Sequence, residues 1–269
     1  APMSDALAPS DMDIPPVVQQ PQAATLDVAS QSNSDRLITV ETPVLKVWID
    51  LIGGDIVRVQ LPTFPVALDE KETPYLLLDQ NPTHSYVAQR ALIGPDGIDK
   101  TGARPLYTSS VTSLTVDDTA RLVLSAMGEG VEVSKTFVFR GDTHLIDVAY
   151  DVVNVSDSPK TMRMLSQIKR DRRAPPTDES VPLAPSPYLG AALTTAENNY
   201  QKIDVDDVDE GSFQATTSGG WIAFLQHYFI SAWVAPADQA TAYHARKTTD
   251  GYYLFGFTGQ NQTVQPGMS

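Results

Sequence analysis

Gly219-Gly220-Trp221-Ile222-Ala223-Phe224-Leu225-Gln226-His227-Tyr228-Phe229-Ile230-Ser231-Ala232-Trp233-Val234 is the most apolar stretch of the chain. Its sixteen residues fall short of the roughly 18 to 20 that cross a bilayer, and the polar Gln226-His227 pair interrupts it, so it does not read as a spanning helix. Its β-branched and aromatic content points to extended structure. Alternation puts Trp221, Ala223 and Leu225 on one face and Ile222, Phe224 and Gln226 on the other, both mostly apolar, as in a strand covered on both sides. The stretch is expected in the core, Trp221 included. Gln226-His227 marks a bulge or turn between two strands, and Pro236, lacking a ladder N–H, ends the second.

Outward from this stretch, period-two alternation dominates and helical periodicity is nearly absent. Leu37 to Ile52 opens β structure, Gly53-Gly54-Asp55 turns the chain, and Ile56 to Leu61 reads as the returning strand of a hairpin. Between Leu68 and Thr112 the pattern weakens into short strands and loops. Arg121 to Ala126, Val131 to Phe139, Leu145 to Val153 and Thr161 to Ile168 then read as a four-stranded antiparallel meander with short turns. A proline-rich run to Pro187 and the acidic segment Asp204 to Glu210 read as connections, and strands return at Trp221, Phe229, Tyr252 and Gln262. The expected fold is all-β, one large antiparallel two-sheet sandwich over residues 36–269. Residues 1–35 hold five prolines, five aspartates and no Lys or Arg, which predicts a flexible acidic tether.

The 269 residues, 42% of them hydrophobic, suffice for a sizeable core. Thirty-three acidic against 19 basic residues give a net charge of -14, which argues against nucleic acid as a partner. No cysteine is present, so disulfides and thiolate chemistry play no part.

The four histidines, His84, His144, His227 and His244, lack metal-ligand spacing, and no GxSxG, P-loop or GxGxxG occurs. No catalytic residue, metal or cofactor is indicated. His227, Tyr228 and Trp233 are candidates for lining a cleft. Lys169, Arg170, Arg172 and Arg173 form a dense basic run in an acidic protein, readable as a contact for an acidic partner or for lipid head groups, or as a solvated strand end and loop.

Several motifs resemble, in the right order, the large periplasmic domain of the YidC membrane-protein insertases of Gram-negative bacteria. They are GGDIVRVQLPTFP (Gly53 to Pro65), GARPLY (Gly102 to Tyr107), KTFVFRGD (Lys135 to Asp142), Gln167-Ile168-Lys169, GAALTTAENNYQK (Gly190 to Lys202), the opening stretch, and Val264-Gln265-Pro266-Gly267. The resemblance implies a supersandwich of the galactose-mutarotase type at the periplasmic face of the inner membrane, with no enzymatic activity of its own. It also implies that residues 1–35 follow a membrane helix and that a final strand and helix lie beyond Ser269. Membrane insertion of nascent proteins is then expected of a membrane part outside this chain. The implied partners are the SecD/SecF translocon accessory proteins, contacted through a segment resembling Leu165 to Val205, with Gln167, Lys169, Pro175, Pro176, Gly190, Ala191, Ala192, Thr195, Tyr200 and Lys202 the matching positions. Arg170, Arg172 and Arg173 depart from the family pattern. A monomer is expected of the isolated domain. The alternative is a mutarotase-like sugar-binding or sugar-isomerising protein, which requires a histidine acid and a carboxylate base across a cleft.

Overall fold

The computed structural model describes residues 36–67, 69–100, 103–173, 188, 190–196, 198–226 and 228–269. The expected tether, Pro175, Pro176 and His227 lie outside them. In chain order the strands are β1 (Leu37–Glu41), β2 (Lys46–Asp50), β3 (Asp55–Pro65), β4 (Pro74–Asn81), β5 (His84–Ile93), β6 (Ser113–Thr115), β7 (Thr119–Gly128), β8 (Val131–Arg140), β9 (Asp147–Asn154) and β10 (Lys160–Arg170). They continue with β11 (Gly190–Leu193), β12 (Gln201–Asp204), a short helix α1 (Val205–Glu210), β13 (Phe213–Ser218), β14 (Trp221–Gln226), β15 (Phe229–Val234), β16 (Ala240–Lys247), β17 (Tyr253–Thr258) and β18 (Gln262–Val264).

Among the described residues these strands form three hydrogen-bonded sheets. A long sheet of eleven strands runs β13-β16-β17-β10-β5-β4-β3-β2-β1-β6, with β18 attached to β10. Two small sheets run β12-β11-β14-β15 and β7-β8-β9. Tyr86 and Arg90 of β5, four residues apart, share one face of the long sheet. Phe224 of β14 packs against Tyr86 and Phe255 there, with ring centroids at 5.7 and 5.3 Å. Lys135 of β8 and the Tyr150 hydroxyl of β9 both donate to the Arg90 carbonyl. Both small sheets therefore cover the same face, and the main core lies between the layers. The all-β sandwich is as expected, with its second layer in two pieces. Pairing is antiparallel except between β1 and β6, which run parallel.

Four sequence expectations need correction. The fourth strand of the meander, β10, leaves it and inserts between β5 and β17 of the long sheet. The weakly patterned third contains β5, a central strand: Ser85 and Gln89 are buried beside apolar neighbours, so simple alternation is lost. The acidic segment forms α1, where the Asp207 carboxylate accepts from the Asp204 N–H at 3.2 Å, the reach-back of a capping box. In β14 only the Ile222, Phe224 and Gln226 face looks into the core; Trp221 points outward, half-buried against Tyr200.

On the far face of the long sheet, Gln89, Gln167, Gly256 and His244 stand in one cross-strand row. Position 256 must be glycine, because a Cβ there would overlap the Ser166 carbonyl and the Gln167 Cβ. His244 is 1% exposed, and neither ring nitrogen has a hydrogen-bond partner among the described residues. Burial, reinforced by Arg246, pushes its pKa down from 6.5 to about 3. The unfolded chain therefore takes up a proton near pH 6.5 that the folded chain refuses until near pH 3. Stability is lost as pH falls through that window, by about 1.4 kcal/mol per pH unit from this residue. His244→Gln should show a shallower decline of the urea midpoint between pH 7 and 4; an identical decline would place the ring in contact with water.

Candidate functional site

The motifs GGD, GARPLY and KTFVFRGD, far apart in sequence, meet in one buried cluster. Gly53 and Gly54 make the β2–β3 turn with φ of 74° and 59°, a conformation that favours glycine. Arg104 Nη2 lies 2.7 Å from Asp55 Oδ1, and its Nε lies 2.9 Å from Asp99 Oδ1, an ion contact too bent to be a hydrogen bond. The other Asp55 oxygen accepts from Gln89 Nε2, whose own carbonyl accepts from Gln167 Nε2. Lys135 Nζ donates to the carbonyls of Gly53, Gly54 and Arg90 at 3.0, 2.7 and 2.9 Å. Burial lowers the Lys135 pKa from 10.5 to about 7, against the pull of Asp55. Burial raises the Asp99 pKa, against the pull of Arg104. For Arg104 burial acts downward, but Asp55 and Asp99 more than offset it, so its pKa is raised. Two acids, two bases and satisfied carbonyls tie the β2–β3 turn, Asp99, Arg104 and β8 together. The cluster joins distant segments of the sandwich, and Arg104 also lines a pocket with Pro95, Ile98, Lys100 and Gly128. Sequence reading missed its role, although the signal is present: in Val131, Val133, Lys135, Phe137, Phe139 a lysine occupies an inward position.

The basic run divides. Lys169 is 3% exposed with Nζ 3.7 Å from the Tyr252 ring centroid, and Arg170 is 2% exposed between Tyr86 and Phe224. Arg172 is exposed and pairs with Asp206 and Asp209 of α1. Arg173 is exposed, and its carbonyl accepts from Arg170 Nη2 at 2.7 Å. Gln167 is buried in the polar row. Two of the four cations thus belong to the core and a third is engaged with the domain's own helix. His84, whose Nδ1 lies 2.8 Å from Asp171 Oδ2, ties strand ends together, since the same oxygen takes the Ser85 N–H.

The remaining candidates gather on the four-stranded sheet. Registers place Leu225 beside Ile230, Ala223 beside Ala232 and Trp221 beside Val234 on its outward face. Gly190 and Ala192 continue that face across β11, and Lys202 continues it on β12. Ala191 points into the core. Gly190, Ala192 and Ala223 form a floor of small residues under larger neighbours. Tyr188 covers Gly190, where a Cβ would overlap the tyrosine hydroxyl, and Lys202 Nζ lies 4.4 Å from the Tyr188 ring centroid. Tyr200 sits against Trp221 at 6.2 Å between centroids. Tyr200, Ile230 and Val234 are 48, 60 and 67% exposed. Thr195 closes the turn before this strand with Asn198, and Tyr228 projects from the β14–β15 turn, largely exposed. Trp233 points the other way, half-buried, its Nε1 donating to the Gln167 carbonyl at 3.0 Å. Tyr228 and Trp233 therefore do not line one cleft. The result is an aromatic surface with Lys202 and Asp204 along its β12 edge.

A family model described as the YidC periplasmic domain matches residues 37–269. The membrane protein insertase YidC of Cellvibrio japonicus is 39% identical over 268 residues, covering 97% of this chain and 48% of that protein. That of Saccharophagus degradans is 38% identical over 234 residues, covering 86% and 42%. The chain spans just under half the length of these relatives. Among solved structures, a galactose mutarotase related enzyme from Lactobacillus acidophilus covers 86% of this chain and 93% of its own, at 12% identity and a TM-score of 0.49. At that identity and score the likeness says nothing about sugar chemistry. With three of its motifs meeting in one buried cluster and the family model matching residues 37–269, the chain belongs to the YidC periplasmic domain family.

Proposed function

We propose that this domain is a non-enzymatic docking module of a membrane-protein insertase, working beside the insertion machinery at the periplasmic face of the inner membrane. The observation that carries the reading is the outward face of the β12-β11-β14-β15 sheet, where Tyr188, Tyr200 and Trp221 stand on the floor of Gly190, Ala192 and Ala223. Aromatic side chains on a rigid, flat support are what protein interfaces use as anchors. The periplasmic regions of SecD and SecF are the partners this reading names. Within it, insertion of nascent membrane proteins falls to the membrane part of the full-length protein, and residues 1–35 act as a tether.

Tyr200→Ala removes an exposed anchor at little cost to the fold. It should weaken capture of the SecD and SecF periplasmic regions by about tenfold or more, the range of an interface hot spot. Capture by the variant equal to that by the natural sequence would clear this face of the role. No capture by either would remove SecD and SecF as partners.

A further inference from the structure

Among the described residues the second layer is open between its two pieces. β9 is an edge of the three-stranded sheet and β15 an edge of the four-stranded sheet, and they do not pair with each other. Both edges approach one side chain: the Arg90 guanidinium carbon lies 5.9 Å from the Tyr150 ring of β9 and 5.7 Å from the Trp233 ring of β15. At the other end Phe64 bridges in the same way, its ring 5.3 Å from Phe229 and 6.2 Å from His144.

Burial shows that the opening reaches the core. Inward residues of interior strands, such as Ile222 and Phe224 of β14 or Val133 and Phe137 of β8, are no more than 1% exposed. Their counterparts on the edges, Tyr150 and Val152 of β9 and Phe229, Ser231 and Trp233 of β15, are only half-buried. So are Ala88 and Arg90 of β5 and Met164 of β10, which belong to central strands of the long sheet. A crevice therefore runs between the two edges with Arg90 in its floor. Arg90 has Met164 Sδ and two aromatic faces as neighbours and no carboxylate ion pair among the described residues. Burial lowers its pKa, and a carboxylate beside it would offset that penalty.

β15, Phe-Ile-Ser-Ala-Trp-Val, carries none of the charges or prolines that normally protect an edge strand. The Ala235 N–H donates to the Gly220 carbonyl, so by the alternation of a strand the N–H groups of Ile230, Ala232 and Val234 face the crevice. On β9 no described residue pairs with the edge before Asn154, which Gly267 and Met268 cap.

We propose that this crevice receives one extended segment of a partner protein, which adds as a strand to β15, places alternate apolar side chains toward the core, and sets a carboxylate over Arg90. The segment completes the second layer, giving each open edge the ladder it lacks. Its site adjoins the aromatic face of Tyr200 and Trp221 along β15, but differs from it in using the strand edge and Arg90.

The test uses the full chain and a labelled, capped peptide of about eight residues, the length of an ordinary strand, alternating valine and threonine with a central glutamate, and its lysine counterpart. Fluorescence anisotropy should show saturable binding of the glutamate peptide and at least tenfold weaker binding of the lysine peptide. Arg90→Gln should bring the two affinities together. Ala232→Pro removes an edge N–H without touching the β14 ladder, and should weaken binding at least tenfold with unchanged far-UV circular dichroism. Ile230→Lys, at an exposed edge position, is the companion variant should the proline disturb the fold. Absence of saturable binding to the natural sequence overturns the proposal. So does equal affinity for both peptides, or undiminished binding by folded Ala232→Pro or Ile230→Lys.

Discussion

Arg104→Met should lower the unfolding free energy by about 3 to 5 kcal/mol, the cost of stranding buried charge by removing its partner. The Arg104, Asp55 and Asp99 side chains are 7, 9 and 1% exposed, so neither carboxylate can turn to water for compensation. Lys135 cannot replace the arginine, because its ammonium is committed to three carbonyls. Burial already raises the Asp99 pKa against the pull of Arg104, so in the variant the folded Asp99 carboxyl should hold its proton more tightly than the unfolded chain does. The folded variant binds the extra protons, so its stability falls as pH rises, and the deficit against the natural sequence should be larger at pH 8 than at pH 4.5. Urea denaturation at both pH values reads this directly. Adding Asp55→Asn and Asp99→Asn should recover part of the loss, since the cost lies in the uncompensated charges. A midpoint unmoved by Arg104→Met at either pH would mean the cluster contributes nothing.

That cluster explains what the sequence motifs are. Gly53-Gly54-Asp55, Arg104 and Lys135 are far apart in the chain and touch in space, so the stretches that make the family recognisable are largely those that close the sandwich. Alternation made β7, β8 and β9 legible because each has one face in the core and one in water. It failed at β5, which is covered on both faces and carries buried polar residues as well, and it found the strand β10 but not its neighbours in the long sheet. The helix α1 escaped because its six residues, Val-Asp-Asp-Val-Asp-Glu, are too few for a period to show and too acidic to suggest packing, although Val205 and Val208 are buried. The candidate site was legible in part. Gly190, Ala192, Tyr200 and Lys202 came from the resemblance and share one face, whereas Tyr188 and the open edges of β9 and β15 depend on contacts between distant segments. Arg90 left no signal at all, because a lone arginine in a strand is ordinarily solvated.

Charge density was the least reliable guide, and Arg170 shows why. A run of Lys, Arg and Asp suggests a solvated surface, yet a strand entering the core turns alternate residues inward whatever their charge. The Arg170 guanidinium carbon lies 4.6 Å from the Tyr86 ring and 4.4 Å from the Phe224 ring, while Nη1 donates to Gln226 Oε1 at 2.8 Å and Nη2 to the Arg173 carbonyl at 2.7 Å. Burial lowers its pKa, yet an arginine starts so high that it keeps its charge at any working pH. Arg170→Ala should cost about 3 to 5 kcal/mol, because it leaves a cavity between two aromatic rings and an unpaired buried amide oxygen on Gln226. Arg170→Met fills most of the volume and loses only the polar partners, so its cost should be about 1 to 3 kcal/mol. The gap between the two variants measures packing, and the remaining cost of the methionine variant measures hydrogen bonding. If both variants unfold at the urea midpoint of the natural sequence, Arg170 is a surface residue and the basic run regains its place as a partner contact. If methionine costs as much as alanine, the guanidinium's donors rather than its bulk hold the end of β10 against β14.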